Sequence, residues 1–159
     1  KNTFSVIFDV QPELYEYCIV KLVLQPILEN AINYGVGSMD DCGEIKVTGR
    51  MQGENIILSV TDNGLGMTEE EVDLILTDSK RIRKHGSGVG LVNVNNRIQI
   101  LFGKEYGLVV ESEPDEGTTV SICIPAVLYT EDNREDLEKG RMFRKEETAK
   151  EVQVKRDDE

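Results

Sequence analysis

The chain has 159 residues, of which 39% are hydrophobic, and a formal net charge of −12. That is enough for one domain with a real core and too little for two. The acidic balance argues against the basic stripe that a nucleic-acid surface needs, so no nucleic-acid partner is expected, yet an anionic small ligand can still be held by backbone N–H groups or a metal.

Residues 4–10 alternate enough to form a strand, which Gln11-Pro12-Glu13 breaks. A helix is expected over about residues 19–34, with Leu24, Ile27, Leu28, Ala31 and Ile32 as its apolar stripe. Pro26 lacks a backbone donor and should kink that helix or mark a restart. Residues 35–38 end it in a loop. Strands follow at 44–50 and 55–62, joined through Gln52-Gly53-Glu54-Asn55 as a hairpin. "TDNGLGM", residues 61–67, is a glycine-rich turn, after which Thr68 and Glu71 make a capping box for a short helix to about Leu76.

Residues 77–87, "TDSKRIRKHGS", are polar, basic and poorly periodic, and read as a mobile loop. A second long helix runs over 89–102 and is closed by Gly103. Strands at 108–112 and 118–125 are joined by the turn "EPDEG". Strands cluster in adjacent pairs rather than alternating with helices. The expected class is α+β, a two-layer α/β sandwich in which a mixed sheet carries helices on one face. The domain is expected over residues 1–128. Residues 129–159 form a charged tail, either a solvated helix or disordered.

Three polar islands interrupt this pattern. The first is Asn30, with Asn33 and Tyr34 beside it, on the first helix. An amide oxygen can coordinate Mg²⁺ and leave room for phosphates and water, although a lone Asn there is more often a cap or a surface residue. The second is Asp62-Asn63-Gly64-Leu65-Gly66-Met67 at a strand end, where glycines allow close backbone approach, or simply make a turn. The third is Gly86-Ser87-Gly88-Val89-Gly90-Leu91, which opens a helix and so offers free N–H donors to an anion. It lacks the Gly-Lys-Ser/Thr of a Walker A loop, and no strand leads into it as in a Rossmann loop.

Together the islands are more specific than any one. "ENAIN" on a helix, "DNGLGM" after a strand, "GSGVGLVNV" opening a helix and "EGTTVSICIP" as the last strand occur in that order. Over roughly residues 4–127 the chain resembles the GHKL (Bergerat) nucleotide-binding fold of gyrase-type and Hsp90-type ATPases and of histidine kinase catalytic domains. The resemblance implies that Asn30 ligates a Mg²⁺ bridging the triphosphate of ATP and that Asp62 accepts a hydrogen bond from the adenine amino group. It implies that Gly64 and Gly66 let the backbone pass the base. Gly86, Ser87, Gly88, Val89, Gly90 and Leu91 would flank the phosphates and hinge a lid, with Lys84 and its basic neighbours Lys80, Arg81 and Arg83 near phosphate. Thr118 would support Asp62 and adenine, and Tyr34 would lie beside the nucleotide. Asn33 stands where many of these kinases have a phosphate-reaching lysine.

The ATPases of this superfamily carry a general-base glutamate four residues before the Mg²⁺ asparagine. Here that position is Pro26, which cannot take a proton, and Glu29 points about 100° away on the helix. "LVLQPILENAINYG" resembles the corresponding motif of Lyt-type sensor histidine kinases. The implied function is the ATP-binding catalytic domain of a two-component sensor histidine kinase, positioning Mg-ATP for phosphoryl transfer to a histidine on a dimerisation helix that is not in this sequence. No nucleophile is expected within the chain, and His85, on the lid, is not the acceptor. The alternatives are a non-catalytic nucleotide-binding module and an anti-sigma-factor-type serine kinase of the same fold.

Lys1 opens beside a strand with no initiator methionine, which reads as a piece of a longer protein. The resemblance implies upstream dimerisation and phosphoacceptor helices and a response regulator as partners. It also implies a membrane-anchored, dimeric bacterial parent with this domain in the cytoplasm; the piece itself should be monomeric. Cys18, Cys42 and Cys123 form neither a disulfide framework nor a zinc pattern and suit a reducing compartment.

Overall fold

The computed structural model describes residues 4–39, 42–77 and 89–139. The chain divides into two compact units, Lys1–Leu128 and Tyr129–Glu159. In the first, five strands form one sheet: β1 (Phe4–Val10), β2 (Gly43–Gln52), β3 (Asn55–Asp62), β4 (Gly107–Glu113) and β5 (Gly117–Pro125). Their spatial order is β1-β2-β3-β5-β4. β1 runs parallel to β2, and every other pair is antiparallel, so the sheet is mixed. The helices are α1 (Leu24–Asn30), α2 (Glu69–Thr77) and α3 (Val89–Phe102).

The register explains which face carries the core. Val47 stands opposite Val60, and Val60 opposite Val120; Leu58 pairs with Ile122 and Ile56 with Ile124. All are buried, whereas the alternate residues Lys46 and Thr61 are exposed and Ser59 is half-exposed. One sheet face is therefore apolar, as period-2 alternation requires. Ile27 of α1 and Leu91, Val94 and Ile98 of α3 are buried as well and complete this core. Fully burying side chains of this size contributes about 1.5–3 kcal/mol each. At the edge, Arg50 of β2 ties down β1 by donating to the Asp9 carbonyl and carboxylate, both at 2.6 Å.

The bounds expected for the first helix need correction. The first long helix begins at Leu24, not near residue 19, because Leu22 has φ of 64°, which interrupts any helix there. Pro26 therefore lies in the first turn of α1, where its missing N–H would have no intrahelical partner, and it makes no mid-helix kink. The helix then widens. Ala31–Gly35 forms a π-helical turn, and Val36–Ser38 a 3₁₀ turn.

The capping box formed as expected. The Thr68 N–H donates to Glu71 Oε2 at 2.8 Å, and the Glu71 N–H donates to Thr68 Oγ1 at 3.3 Å. In the second unit, α4 spans Arg134–Glu138, preceded by a reciprocal Thr130–Asn133 hydrogen-bonded turn. Among the described residues, no helix is long and apolar enough to cross a membrane.

Candidate functional site

Asp62 and Thr118 are the two buried polar side chains among the described residues, 3% and 6% exposed. They are cross-strand partners at the ends of β3 and β5, on the core face. The Gly64 N–H donates to Asp62 Oδ1 at 2.9 Å, and the Thr118 backbone N–H also reaches this carboxylate. Burial pushes the Asp62 carboxyl above the usual carboxylate range, and these two N–H groups pull part of the way back. A buried acid with only two backbone donors has acceptor capacity left for a further ligand donor.

Ser112 of β4 settles how Thr118 is oriented. Its hydroxyl donates to the Gly117 carbonyl at 2.8 Å and accepts from the Met67 N–H at 2.8 Å. Its single proton is thereby used, so the Thr118 hydroxyl, 2.8 Å away, is the donor in their contact. The Thr118 lone pairs stay available beside Asp62.

Close backbone approach explains the glycines here. A β-carbon on Gly64 would overlap the Gly35 backbone, and one on Gly35 would overlap the Asp62 carboxylate. Gly117, with φ of 104°, abuts the Asp62 carbonyl, and Gly66, with φ of 65°, abuts the Glu113 carbonyl. The end of the first helix, the β3–α2 turn and the β4–β5 turn thus meet at Asp62. Asn63 points elsewhere: its side chain accepts from the Glu44 N–H at 2.7 Å and donates to the Cys42 carbonyl at 2.9 Å.

The remaining residues picked out in sequence fall into three sets. Asn30 is half-buried at the last position of α1, and Asn33 and Tyr34 are exposed on the π turn that packs against β3 and β5. π turns frequently occur at functional sites. Val89, Gly90 and Leu91 form the first turn of α3, with the Leu91 side chain in the core and Gly90 against Pro26. Lys80, Arg81, Arg83, Lys84, His85, Gly86, Ser87 and Gly88 lie outside the described residues. A cavity of about 590 Å³ reaches Asp62, Thr118, Ser112, Val110 and Val72, with carboxylates such as Glu111 among its lining. Asn30, Asn33 and Tyr34 do not line it. Gly35, Ser112 and Gly117 went unrecognised in the sequence. "NYG" and "EGTT" were the signals for the two glycines, and Ser112 offered none.

The profile of the family described as histidine kinase-, DNA gyrase B-, and HSP90-like ATPase matches residues 19–128. The chain belongs to this family. YwpD of Bacillus subtilis (strain 168) is 38% identical over 77% of the chain, and the sensor histidine kinase YesM of the same strain is 34% identical over 74%. The sensor protein LytS of Bacillus anthracis is 32% identical over 78%. The chain spans 42%, 19% and 21% of the lengths of these relatives. Its fold is that of the catalytic domain of histidine kinase ThkA, with a TM-score of 0.60, 20% identity, and coverage of 78% of this chain and 80% of that one.

Family membership sharpens the reading of Glu29 and Pro26. Glu29 is exposed, and its carboxylate accepts from Gln25 Nε2 at 2.8 Å, away from the buried site. Position 26 holds no proton acceptor. Among the described residues, no cluster of three or more His, Cys, Asp or Glu side chains could hold a metal. The Asn30 amide suits Mg²⁺ of the kind that keeps several waters and phosphate oxygens and takes few protein ligands.

Proposed function

We propose that this chain is the ATP-binding catalytic domain of a Lyt-type sensor histidine kinase and that it presents Mg-ATP to a histidine on an upstream dimerisation helix of its parent. The observation that carries the reading is Asp62, a buried carboxylate held by two backbone N–H groups in a site where Gly35, Gly64 and Gly117 leave no room for side chains. Asp62 accepts the adenine amino group, and Thr118 supports it directly or through water. Gly64 and Gly66 admit the base, and Tyr34 lies beside the nucleotide. The first turn of α3, with Gly90 and the backbone of Val89 and Leu91, faces the phosphates. Asn30 would hold Mg²⁺, whose charge would offset that of the phosphates during transfer. Asn33 lies next to that end without an assigned contact.

With Pro26 in place of a base and Glu29 turned away, α1 offers no group to activate water. The terminal phosphoryl group therefore passes to an acceptor outside the chain, first the histidine and then a response regulator. The parent is dimeric and membrane-anchored, with this domain in the cytoplasm. The 1–128 unit alone suffices for nucleotide binding, and residues 129–159 are dispensable for it.

Calorimetric titration of Mg-ATP into the chain tests the reading. Asn30→Ala should weaken binding when magnesium is present and change it little when magnesium is chelated. Tight nucleotide binding by Asn30→Ala with undiminished magnesium dependence would remove Asn30 from the metal site. No binding by the wild-type chain would leave a non-catalytic module as the better account.

A further inference from the structure

We propose that Pro26 and Gly90 form a positioning pair that sets the distance between the first turn of α3 and Asn30, and so the fit of the triphosphate; this rests on the nucleotide reading above. Gly90 lies in the first turn of α3 and faces α1. A β-carbon built on it would stand 3.1 Å from Pro26 Cβ and 3.9 Å from Pro26 Cα. Carbon atoms prefer about 3.5–4.0 Å, so the helices here lie closer than a β-carbon at position 90 would comfortably allow. Among the described residues, leaving aside α3's own backbone and the neighbours Val89 and Leu91, Pro26 alone comes within 4 Å of that point. α3 therefore rests on Pro26 at this end, while Leu91, 1% exposed, anchors the same turn in the core.

The placement matters because of helical geometry. Asn30 is four residues beyond Pro26, so it lies on the same face of α1, about 6 Å further along the axis. The face that meets Gly90 is the face that carries Asn30. Free N–H donors of α3's first turn and the Asn30 amide are thereby held at a set spacing. A magnesium-bound triphosphate must satisfy both at once, whereas the adenine end depends on Asp62 at the sheet. Proline suits the seat. Its N–H is not needed in the first helical turn, and its ring holds φ fixed, so the contact surface does not shift. Position 26, where hydrolytic members of the superfamily carry their base, is given over here to helix packing.

The test compares affinities for Mg-ATP and for adenosine, which lacks phosphates, in three proteins: the wild-type chain, Gly90→Ala, and Gly90→Ala combined with Pro26→Gly. A displacement of a few tenths of an ångström at the phosphate end should weaken Mg-ATP about five- to tenfold in Gly90→Ala. Adenosine affinity should stay within about twofold, because its contacts lie at the other end. Removing the opposing β-carbon with Pro26→Gly should restore most of the Mg-ATP affinity. Equal loss of both ligands in Gly90→Ala, no loss of either, or failure of the double variant to recover would each overturn the pair. Absence of Mg-ATP binding by the wild-type chain would overturn the nucleotide reading and the pair together, and so is told apart from failure of the pair alone.

Discussion

At the sheet end of the candidate site, Asp62 and Thr118 are buried and cross-strand paired, and three segments of backbone meet where Gly35, Gly64 and Gly117 leave no room for a methyl group. At the helix end, Asn30 is half-buried, and Asn33 and Tyr34 are exposed on a π turn. The first end is made by folding itself, since its donors are strand and turn N–H groups that must be satisfied anyway. At the second end the polar groups are side chains carried by α1 and the π turn rather than backbone N–H groups held by the sheet. Under the proposed function, a site built this way would read the base with a rigid framework and leave the phosphate end adaptable.

That contrast can be broken from the rigid side. Gly64→Ala should have the largest effect, because its methyl group meets the Gly35 backbone, which cannot rotate away. Overpacking of this kind costs about 1–3 kcal/mol or more. Urea denaturation should register that loss, and Mg-ATP binding should vanish with it. Tyr34→Ala, at the adaptable end, should leave stability within about 0.5 kcal/mol of wild type, as exposed positions do.

Asp62→Asn should separate binding from folding. Losing a buried acceptor for the adenine amino group should cost roughly 1–3 kcal/mol, about tenfold or more in affinity. Stability should respond in the opposite sense as pH rises. The Asp62 carboxyl titrates above its unfolded value because it is buried. Between those two pKa values the folded chain holds a proton that the unfolded chain has lost, so Asp62 lowers stability as pH rises through that window and adds no further change above it. Thermal melts of wild type and Asp62→Asn across acid to neutral pH should favour wild type most at the acid end. A gap that grows toward neutral pH would contradict the direction given for Asp62.

A stability loss without a loss of binding should come from Thr68→Ala, which removes the cap of α2 and should cost about 1 kcal/mol. Melting temperature should fall while Mg-ATP affinity holds, because Thr68 and Glu71 do not themselves line the cavity.

Legibility in the sequence followed the range of the interaction. The Thr68–Glu71 box was readable because its partners are three residues apart and their chemistry is reciprocal. The strands were readable because alternation is local; burial alternates along β2, β3 and β5, whereas the edge strand β1 is exposed over most of its length. The start of α1 was missed because apolar spacing over residues 19–23 fits a helix, while Leu22 adopts a positive φ that no pattern announces. Asp62, Gly64 and Thr118 were found as pieces of motifs. What joins them was hidden, because Ser112 reaches Thr118 only through the β4–β5 register, and Gly35 reaches Asp62 only through the turn that follows α1. Pro26 was noticed as an oddity within the helix, and its contact with Gly90 depends on two helices 64 residues apart in the chain.

The most direct test of the central claim, that a buried Asp62 reads the base, is the ratio of ATP to GTP affinity in wild type and Asp62→Asn at one magnesium concentration. Adenine offers an exocyclic amino donor where guanine offers a carbonyl acceptor. The account predicts that wild type prefers ATP by about tenfold or more and that Asp62→Asn loses most of this preference. Equal affinity for the two nucleotides in wild type, or a preference that Asp62→Asn leaves unchanged, would contradict it.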